Sequence, residues 1–80
     1  MQAEIYVWSY CPHCRAALAL LEERGIPTTK HVMDTKDDEL NEVKKRYGHS
    51  TVPIVLIDGT FIGGNDALKE LDAAGGLKTS

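Results

Sequence analysis

Short runs of apolar residues along the chain predict four strands. Residues 4–8 (EIYVW) are β-branched and aromatic, and residues 28–33 alternate weakly between apolar and polar. Residues 52–57 form a nearly continuous apolar run, which is typical of a central strand covered on both faces. Asp58-Gly59 is a strong signal for a two-residue hairpin turn, so residues 60–62 are predicted to form the returning strand.

Three other segments carry apolar residues at three- and four-residue spacing and predict helices. The first begins at Pro12, since proline favours the first helical position, and ends at Gly25. The second spans residues 37–47, with acids at its start and bases at its end. The third begins at Asn65-Asp66 and stops at the next pair of glycines. The predicted inward-facing residues are Cys14, Ala17, Leu18 and Leu21, then Leu40, Val43 and Tyr47, then Leu68 and Leu71.

The predicted order of elements is β-α-β-α-β-β-α, which places the chain in the α/β class. The first strand-helix-strand unit is expected to be a right-handed parallel crossover, and the final hairpin is antiparallel. We therefore expect a four-stranded mixed sheet with three helices on its two faces. Eighty residues suffice for one such domain, residues 1–80, and for no second core.

Charge and hydropathy exclude several classes of function. The net charge is -3, and the densest basic run is only residues 44–46, which argues against nucleic-acid binding. No apolar run approaches the length of a membrane span. The first residues show no basic segment followed by an apolar one, so we expect no secretory signal and a reducing, cytoplasmic location.

The two cysteines, Cys11 and Cys14, lie three positions apart where the first strand gives way to the first helix. This spacing places them about one helical turn apart, within reach of a disulfide bond. Cys11 is predicted to be the exposed thiol just outside the helix, and Cys14 is predicted to pack beneath it. The positive end of the helix favours the thiolate form of Cys11, which makes this sulfur a good leaving group in disulfide exchange.

Two other uses of the cysteine pair compete with redox chemistry. A structural disulfide across so short a loop would restrict the unfolded chain little, and a reducing compartment would disfavour it. A zinc site needs two further ligands, and His13, His31 and His49 do not form a second pair with ligand spacing. A redox-active pair is favoured because Cys-x-x-Cys follows a strand within a βαβ pattern.

Three segments together, Cys11-Pro12-His13-Cys14, Thr51-Val52-Pro53 and Gly63-Gly64-Asn65-Asp66, closely resemble the glutaredoxins. The resemblance covers essentially the whole chain. It implies a thioredoxin-like fold and a glutathione-dependent thiol–disulfide oxidoreductase, monomeric, that reduces disulfide-bonded or glutathionylated proteins. Cys11 would attack the substrate disulfide and Cys14 would resolve the mixed disulfide, with no metal required.

The resemblance also implies a binding site for glutathione. Pro53 would be cis and face the cysteines, Thr51 would lie beside it, and the backbone of Val52 would pair with the cysteine portion of the tripeptide. The γ-glutamyl carboxylate would lie at Gly64 and the start of the third helix, with Asp66 on the amine and Asn65 beside it. The residues alone leave simpler interpretations open: a sheet-edge proline, a tight glycine turn and a helix cap at Asp66.

This chain departs from the family pattern at two positions. His13, which we include among the glutathione-binding residues, replaces the usual aromatic residue between the cysteines, where it would either favour the thiolate or have no role in doing so. Trp8 stands where many glutaredoxins have a lysine for the glycine carboxylate of glutathione, and it could simply belong to the core. Lys36 or Lys30 could substitute for the missing cation.

Two rival functions remain open at this point. One is a glutaredoxin-like electron donor that is reduced by thioredoxin reductase, which the absence of lysine at Trp8 keeps under consideration. The other is a binding module for an iron–sulfur cluster or zinc. Family members that assemble such clusters often lack the proline after the first cysteine, so Pro12 argues against this second alternative.

Overall fold

A computed structural model describes residues 1–50 and 52–77 of the chain. Within these residues it contains four strands and three helices in the predicted order. They are β1 (Ala3–Val7), α1 (Pro12–Glu23), β2 (Thr28–Val32), α2 (Asp37–Tyr47), β3 (Ile54–Ile57), β4 (Thr60–Gly63) and α3 (Asn65–Ala73). No helix in the described part of the chain has the length and apolar character needed to cross a membrane.

The four strands form one mixed sheet in the order β2-β1-β3-β4. β1 pairs with β2 in parallel and with β3 in antiparallel orientation, so that Ile5 lies opposite Lys30 on one side and Val55 on the other. β3 and β4 form the predicted antiparallel hairpin. Its turn residues Asp58 and Gly59 have φ angles of 51° and 82°, the left-handed pair that a tight hairpin turn requires. The predicted α/β class and mixed sheet are confirmed.

Aliphatic side chains from the sheet and all three helices form the core. Ile5 in β1, Leu21 in α1, Leu40 in α2, Ile54 in β3 and Leu68 in α3 are at most 1% exposed. Burying each of these side chains contributes about 1.5–3 kcal/mol of transfer free energy. Each helix therefore attaches to the sheet by the apolar stripe that its sequence predicts, although Leu18, Val43, Tyr47 and Leu71 are only partly buried at its edges.

The structure corrects one predicted boundary and one predicted helix cap that bear on the site. β3 begins at Ile54, two residues later than predicted, because Pro53 has no N–H to donate to a sheet. α3 begins at Asn65 and its cap residue is Gly64, which offers no side-chain hydrogen bond. The interpretation of Asp66 as the helix cap is therefore wrong. Val52, Pro53 and Gly64 therefore lie outside the regular elements, and all three line the same groove as Cys11.

Candidate active site

The start of α1 places the Cys11 sulfur over the first turn of the helix. Cys11 is the cap residue, with extended backbone angles (φ -89°, ψ 118°), and its Sγ accepts the backbone N–H of Cys14 at 3.4 Å. Its own N–H donates to the Trp8 carbonyl at 3.3 Å, and its carbonyl accepts the Arg15 N–H at 3.1 Å. Three backbone contacts thus hold one sulfur at the positive end of the helix, where negative charge is stabilised.

The two cysteines differ in burial. Cys14 is 1% exposed and packs inside α1, as predicted. Cys11 is only 9% exposed, so the prediction of an exposed thiol is wrong in degree. The Cys11 side chain lies in the wall of a groove and is reached through it rather than from the open surface.

The environment of Cys14 keeps it protonated. Burial is the main cause that raises the pKa of the Cys14 thiol to about 12, and a hydrogen bond with Cys11 and a neighbouring charge on Cys11 act in the same direction. The Trp8 backbone opposes these effects more weakly. Since the thiolate is the attacking form, Cys14 is unsuited to attack first and suited to act after Cys11 has given up its charge.

A groove of about 790 Å³ opens over Cys11. It brings together segments that are far apart in the chain: the start of α1, the segment before β3, and the junction of β4 with α3. All the described residues that the sequence assigns to glutathione line it, namely His13, Val52, Pro53, Gly64, Asn65 and Asp66. Thr51, the remaining one, lies outside the described residues. The Val52–Pro53 peptide bond is cis, as the resemblance implies.

One end of the groove is formed by the start of α3. Asn65 is 6% exposed, and no donor among the described residues reaches its Oδ1. At Gly64 a Cβ would lie 3.3 Å from Nε2 of His49 and 3.5 Å from the carbonyl oxygen of Pro53. The absence of a side chain at Gly64 therefore keeps this wall of the groove open. The wall also contains the buried side-chain oxygen of Asn65, for which the described residues supply no donor.

The sequence prediction missed four residues of the groove, namely His49, Phe61, Ile62 and Ala67. Phe61 stacks on Tyr47 with ring centroids 5.1 Å apart and meets the edge of His49 at 5.7 Å. A signal for His49 was available, since it lies two residues before the Thr51-Val52-Pro53 segment. The sequence gives no signal that Phe61 belongs to the site, because an aromatic residue in a hairpin strand is equally typical of a core.

Trp8 is half-buried, packs against the core and also lines the groove. Neither of the cations proposed to replace the missing lysine lies there: Lys36 lines a separate cavity with Tyr6 and His31, and Lys30 lies on the edge strand β2. Instead Nζ of Lys44, from α2, lies 5.4 Å from the centroid of the Trp8 ring. The structure thus brings a cation to Trp8 from an element that the sequence did not implicate.

No group of three or more His, Cys, Asp and Glu side chains within residues 1–50 and 52–77 is arranged to hold a metal ion. His31 stacks on Tyr6, and its Nε2 lies 3.7 Å from Oε2 of Glu4, whereas His13 and His49 line the groove. His31 therefore lies away from the cysteine pair, and the two groove histidines belong to no such group among the described residues.

A cysteine pair at the start of a helix, following a central strand and bordered by a groove, is the arrangement of thiol–disulfide exchange proteins. Comparison of this chain with known proteins identifies the family within this class. A model of the glutaredoxin family matches residues 3–62. Glutaredoxin 3 of Escherichia coli strain K12 is 43% identical over 74 residues, which cover 92% of this chain and 89% of that protein.

Solved structures agree with the family match. The solution structure of a dithiolic glutaredoxin from Trypanosoma brucei brucei has a TM-score of 0.85 at 37% identity, covering 95% of this chain and 81% of that one. The crystal structure of a buckwheat glutaredoxin–glutathione complex has a TM-score of 0.89 at 27% identity, with coverages of 94% and 71%. The chain belongs to the glutaredoxin family, with its thioredoxin-like fold, and the family supports thiol–disulfide oxidoreductase activity.

Proposed function

We propose that the protein is a glutathione-dependent thiol–disulfide oxidoreductase in which Cys11 attacks and Cys14 resolves. The observation that carries this proposal is the position of the Cys11 sulfur. It accepts the Cys14 N–H at 3.4 Å at the start of α1 and lies in the wall of a groove large enough for a tripeptide. The neighbouring thiol of Cys14, with its pKa raised to about 12, stays protonated while Cys11 reacts.

The reaction follows from this division of roles. The Cys11 thiolate attacks a substrate disulfide, forming a Cys11–substrate disulfide and releasing the other substrate sulfur as a thiolate. For a protein disulfide, Cys14 then loses its proton and attacks Cys11, which leaves the substrate reduced and a Cys11–Cys14 disulfide behind. Two molecules of glutathione reduce this disulfide and become oxidised glutathione. For a glutathione mixed disulfide, Cys11 takes up the glutathionyl group and a second glutathione removes it, so Cys14 is not needed.

The groove supports glutathione as the reductant. Val52 lies outside the β3 ladder, and we propose that its backbone pairs with the cysteine portion of the tripeptide, beside Thr51 and Pro53. We propose that Oδ1 of Asn65, which has no donor among the described residues, and the carboxylate of Asp66 accept from the γ-glutamyl amine, and that Gly64 leaves room for that end of the ligand. The buckwheat relative was solved as a glutathione complex, which supports glutathione as the ligand.

Turnover of a small glutathione mixed disulfide, coupled to glutathione, glutathione reductase and NADPH, tests the proposal. We expect wild-type protein to be active, C11S to be inactive, and C14S to retain activity. An inactive wild type would overturn the proposal, and an inactive C14S that remains folded would overturn the role of Cys11 alone in this reaction.

The reductant needs a test of its own because Trp8 removes a cation that many family members have. The same protein is supplied with a polypeptide disulfide, NADPH and either the glutathione system or thioredoxin reductase alone. We expect NADPH oxidation only with the glutathione system. The reverse result would assign the protein as an electron donor that is reduced by thioredoxin reductase.

A further inference from the structure

An aromatic surface capped by a lysine adjoins the Cys11 sulfur. Tyr10 is 68% exposed, and its ring stacks on that of Trp8 with centroids 5.7 Å apart and planes at 13°. Nζ of Lys44 lies over the Trp8 ring at 5.4 Å. We call these three residues the aromatic–lysine patch.

The patch adjoins the backbone of the residue that carries the reacting sulfur. Tyr10 precedes Cys11 in the chain, and the Trp8 carbonyl accepts the Cys11 N–H at 3.3 Å. Trp8 also lines the groove, whereas most of the Tyr10 side chain faces solvent. A polypeptide whose disulfide reaches Cys11 must therefore continue over surface next to the groove, and Tyr10 is part of that surface.

The charges around the patch favour an acidic partner. Lys44 begins the basic last turn of α2, which also holds Lys45 and Arg46, in a chain whose net charge is -3. Of the nearby acids, Asp34 is engaged by Ser9, while Asp38 and Glu42 share a surface depression with Lys44 and Lys45. Lys44 is half-buried against Trp8, whereas Lys45 is exposed, so Lys44 holds its charge in a defined position over an aromatic face.

We propose that the aromatic–lysine patch binds the polypeptide that carries the substrate disulfide and prefers a segment with an acidic residue next to the reacting cysteine. The proposal rests on the proposed function, because it names a class of protein substrate for the same sulfur. The ring of Tyr10 would pack against the segment, and the ammonium group of Lys44 would pair with its carboxylate.

The step that the patch assists is the first exchange. The Cys11 thiolate attacks one sulfur of the substrate disulfide, a Cys11–peptide disulfide forms, and the second peptide sulfur leaves as a thiolate. Cys14 then displaces the peptide as a dithiol. Reduced enzyme supplies both electrons in a single turnover, so the step is measurable without glutathione.

Single-turnover oxidation of the reduced protein by three peptides tests the proposal. Each peptide contains one disulfide, and the peptides differ only in the residue beside one cysteine: Glu, Gln or Lys. For wild-type protein we expect the Glu peptide to react about two- to fivefold faster than the Lys peptide, the size of effect that one exposed ion pair supports. The order should reverse in K44E, and K45E, the matched charge reversal one residue along, should keep the wild-type order.

Tyr10 variants separate the aromatic contact from the charge. We expect Y10A to slow all three peptides by about two- to tenfold, as the loss of an aromatic contact predicts, and Y10F to restore the rates. Equal rates for the Glu and Lys peptides in wild type, or the same change of order in K44E and K45E, would overturn the proposal while leaving the exchange chemistry intact. Absence of exchange with every peptide would overturn the proposed function and this inference with it.

Discussion

Asp34 binds Ser9 through both of its carboxylate oxygens. Oδ1 accepts the Ser9 N–H at 2.9 Å, and Oδ2 accepts the Ser9 hydroxyl. Ser9 lies in the short connection between β1 and Cys11, and Asp34 follows β2. The pair therefore ties the segment that positions the reacting sulfur to the neighbouring end of the sheet.

The Asp34–Ser9 pair predicts an acid-dependent contribution to stability. The hydrogen bonds from the Ser9 hydroxyl and N–H lower the pKa of Asp34, so the folded state favours the ionised carboxylate more than the unfolded chain does. This stabilisation is complete above the ordinary aspartate pKa of about 3.9, and it is lost as the pH falls through the lower pKa of the folded protein. Urea unfolding of wild type and D34A should differ at neutral pH and converge toward the acid end.

The variant S9A is the control for the Asp34 prediction. It removes the hydroxyl donor and keeps the backbone N–H, so its loss of stability at neutral pH should lie between those of wild type and D34A. A difference between wild type and D34A that is unchanged from neutral pH to below the ordinary aspartate pKa would contradict the prediction.

The raised pKa of Cys14 predicts an order of thiol modification. Because Cys14 remains a thiol far above neutral pH, iodoacetamide should alkylate Cys11 first and leave Cys14 unmodified at mildly alkaline pH. In C11S the contacts from the Cys11 sulfur are gone and burial remains, so the Cys14 pKa should fall and still exceed its ordinary value. Mass spectrometry of the alkylated peptides across a pH series measures both effects. Equal labelling of the two cysteines in wild type would contradict the prediction.

The two glycines before α3 should respond differently to alanine. Gly63 has φ 133°, and an added Cβ would lie 2.9 Å from Cβ of Ala67, so G63A should lower the free energy of unfolding by about 1–3 kcal/mol. Gly64 has φ -95°, which any residue adopts, and its added Cβ would press on His49 and Pro53 in the groove. We expect G64A to unfold closer to wild type and to raise KM for a small glutathione mixed disulfide by about tenfold, equal to about 1.4 kcal/mol.

Chemical denaturation and steady-state kinetics on both glycine variants check this contrast. Each variant serves as the control for the other, since the change in side chain is the same. The prediction is wrong if G64A is the less stable protein or if G63A shows the larger increase in KM at a temperature where both are folded.

Local signals in the sequence were sufficient for most of the fold. The spacing of apolar residues located each helix and strand, Asp58-Gly59 located the hairpin, and Pro12 located the start of α1 beside the cysteine pair. These signals act between near neighbours in the chain, where backbone preference and periodicity decide the outcome.

Those local signals do not predict contacts between residues that are far apart in the chain. Lys44 meets Trp8, and Asp34 meets Ser9, only because the crossover and α2 bring their residues to one end of the sheet. The burial of Cys11 likewise depends on a groove built from three distant segments. A single sequence does not record such distances, so it suggests Lys36 or Lys30 as a replacement for the missing cation and gives no sign that Lys44 lies over Trp8.

The buried amide of Asn65 offers a test of ligand recognition that is separable from folding. Its Oδ1 has no donor among the described residues, so the free protein gains no hydrogen bond there that N65A would remove. We expect N65A to unfold at nearly the wild-type denaturant concentration. When glutathione binds with its charged γ-glutamyl amine at this oxygen, the missing bond should cost about 1.5–3 kcal/mol, or about 10- to 150-fold in affinity.

Calorimetric titration of C14S and of the double variant C14S/N65A with glutathione measures that loss directly. Both proteins lack Cys14, so neither can form the Cys11–Cys14 disulfide during the titration. D66N is the companion variant: it removes the charge at the same end of the groove, and its effect should shrink with added salt, whereas N65A removes an uncharged acceptor and its effect should depend less on salt. If N65A binds glutathione as tightly as its parent, the γ-glutamyl end does not lie at the start of α3, and the orientation proposed for the ligand is wrong.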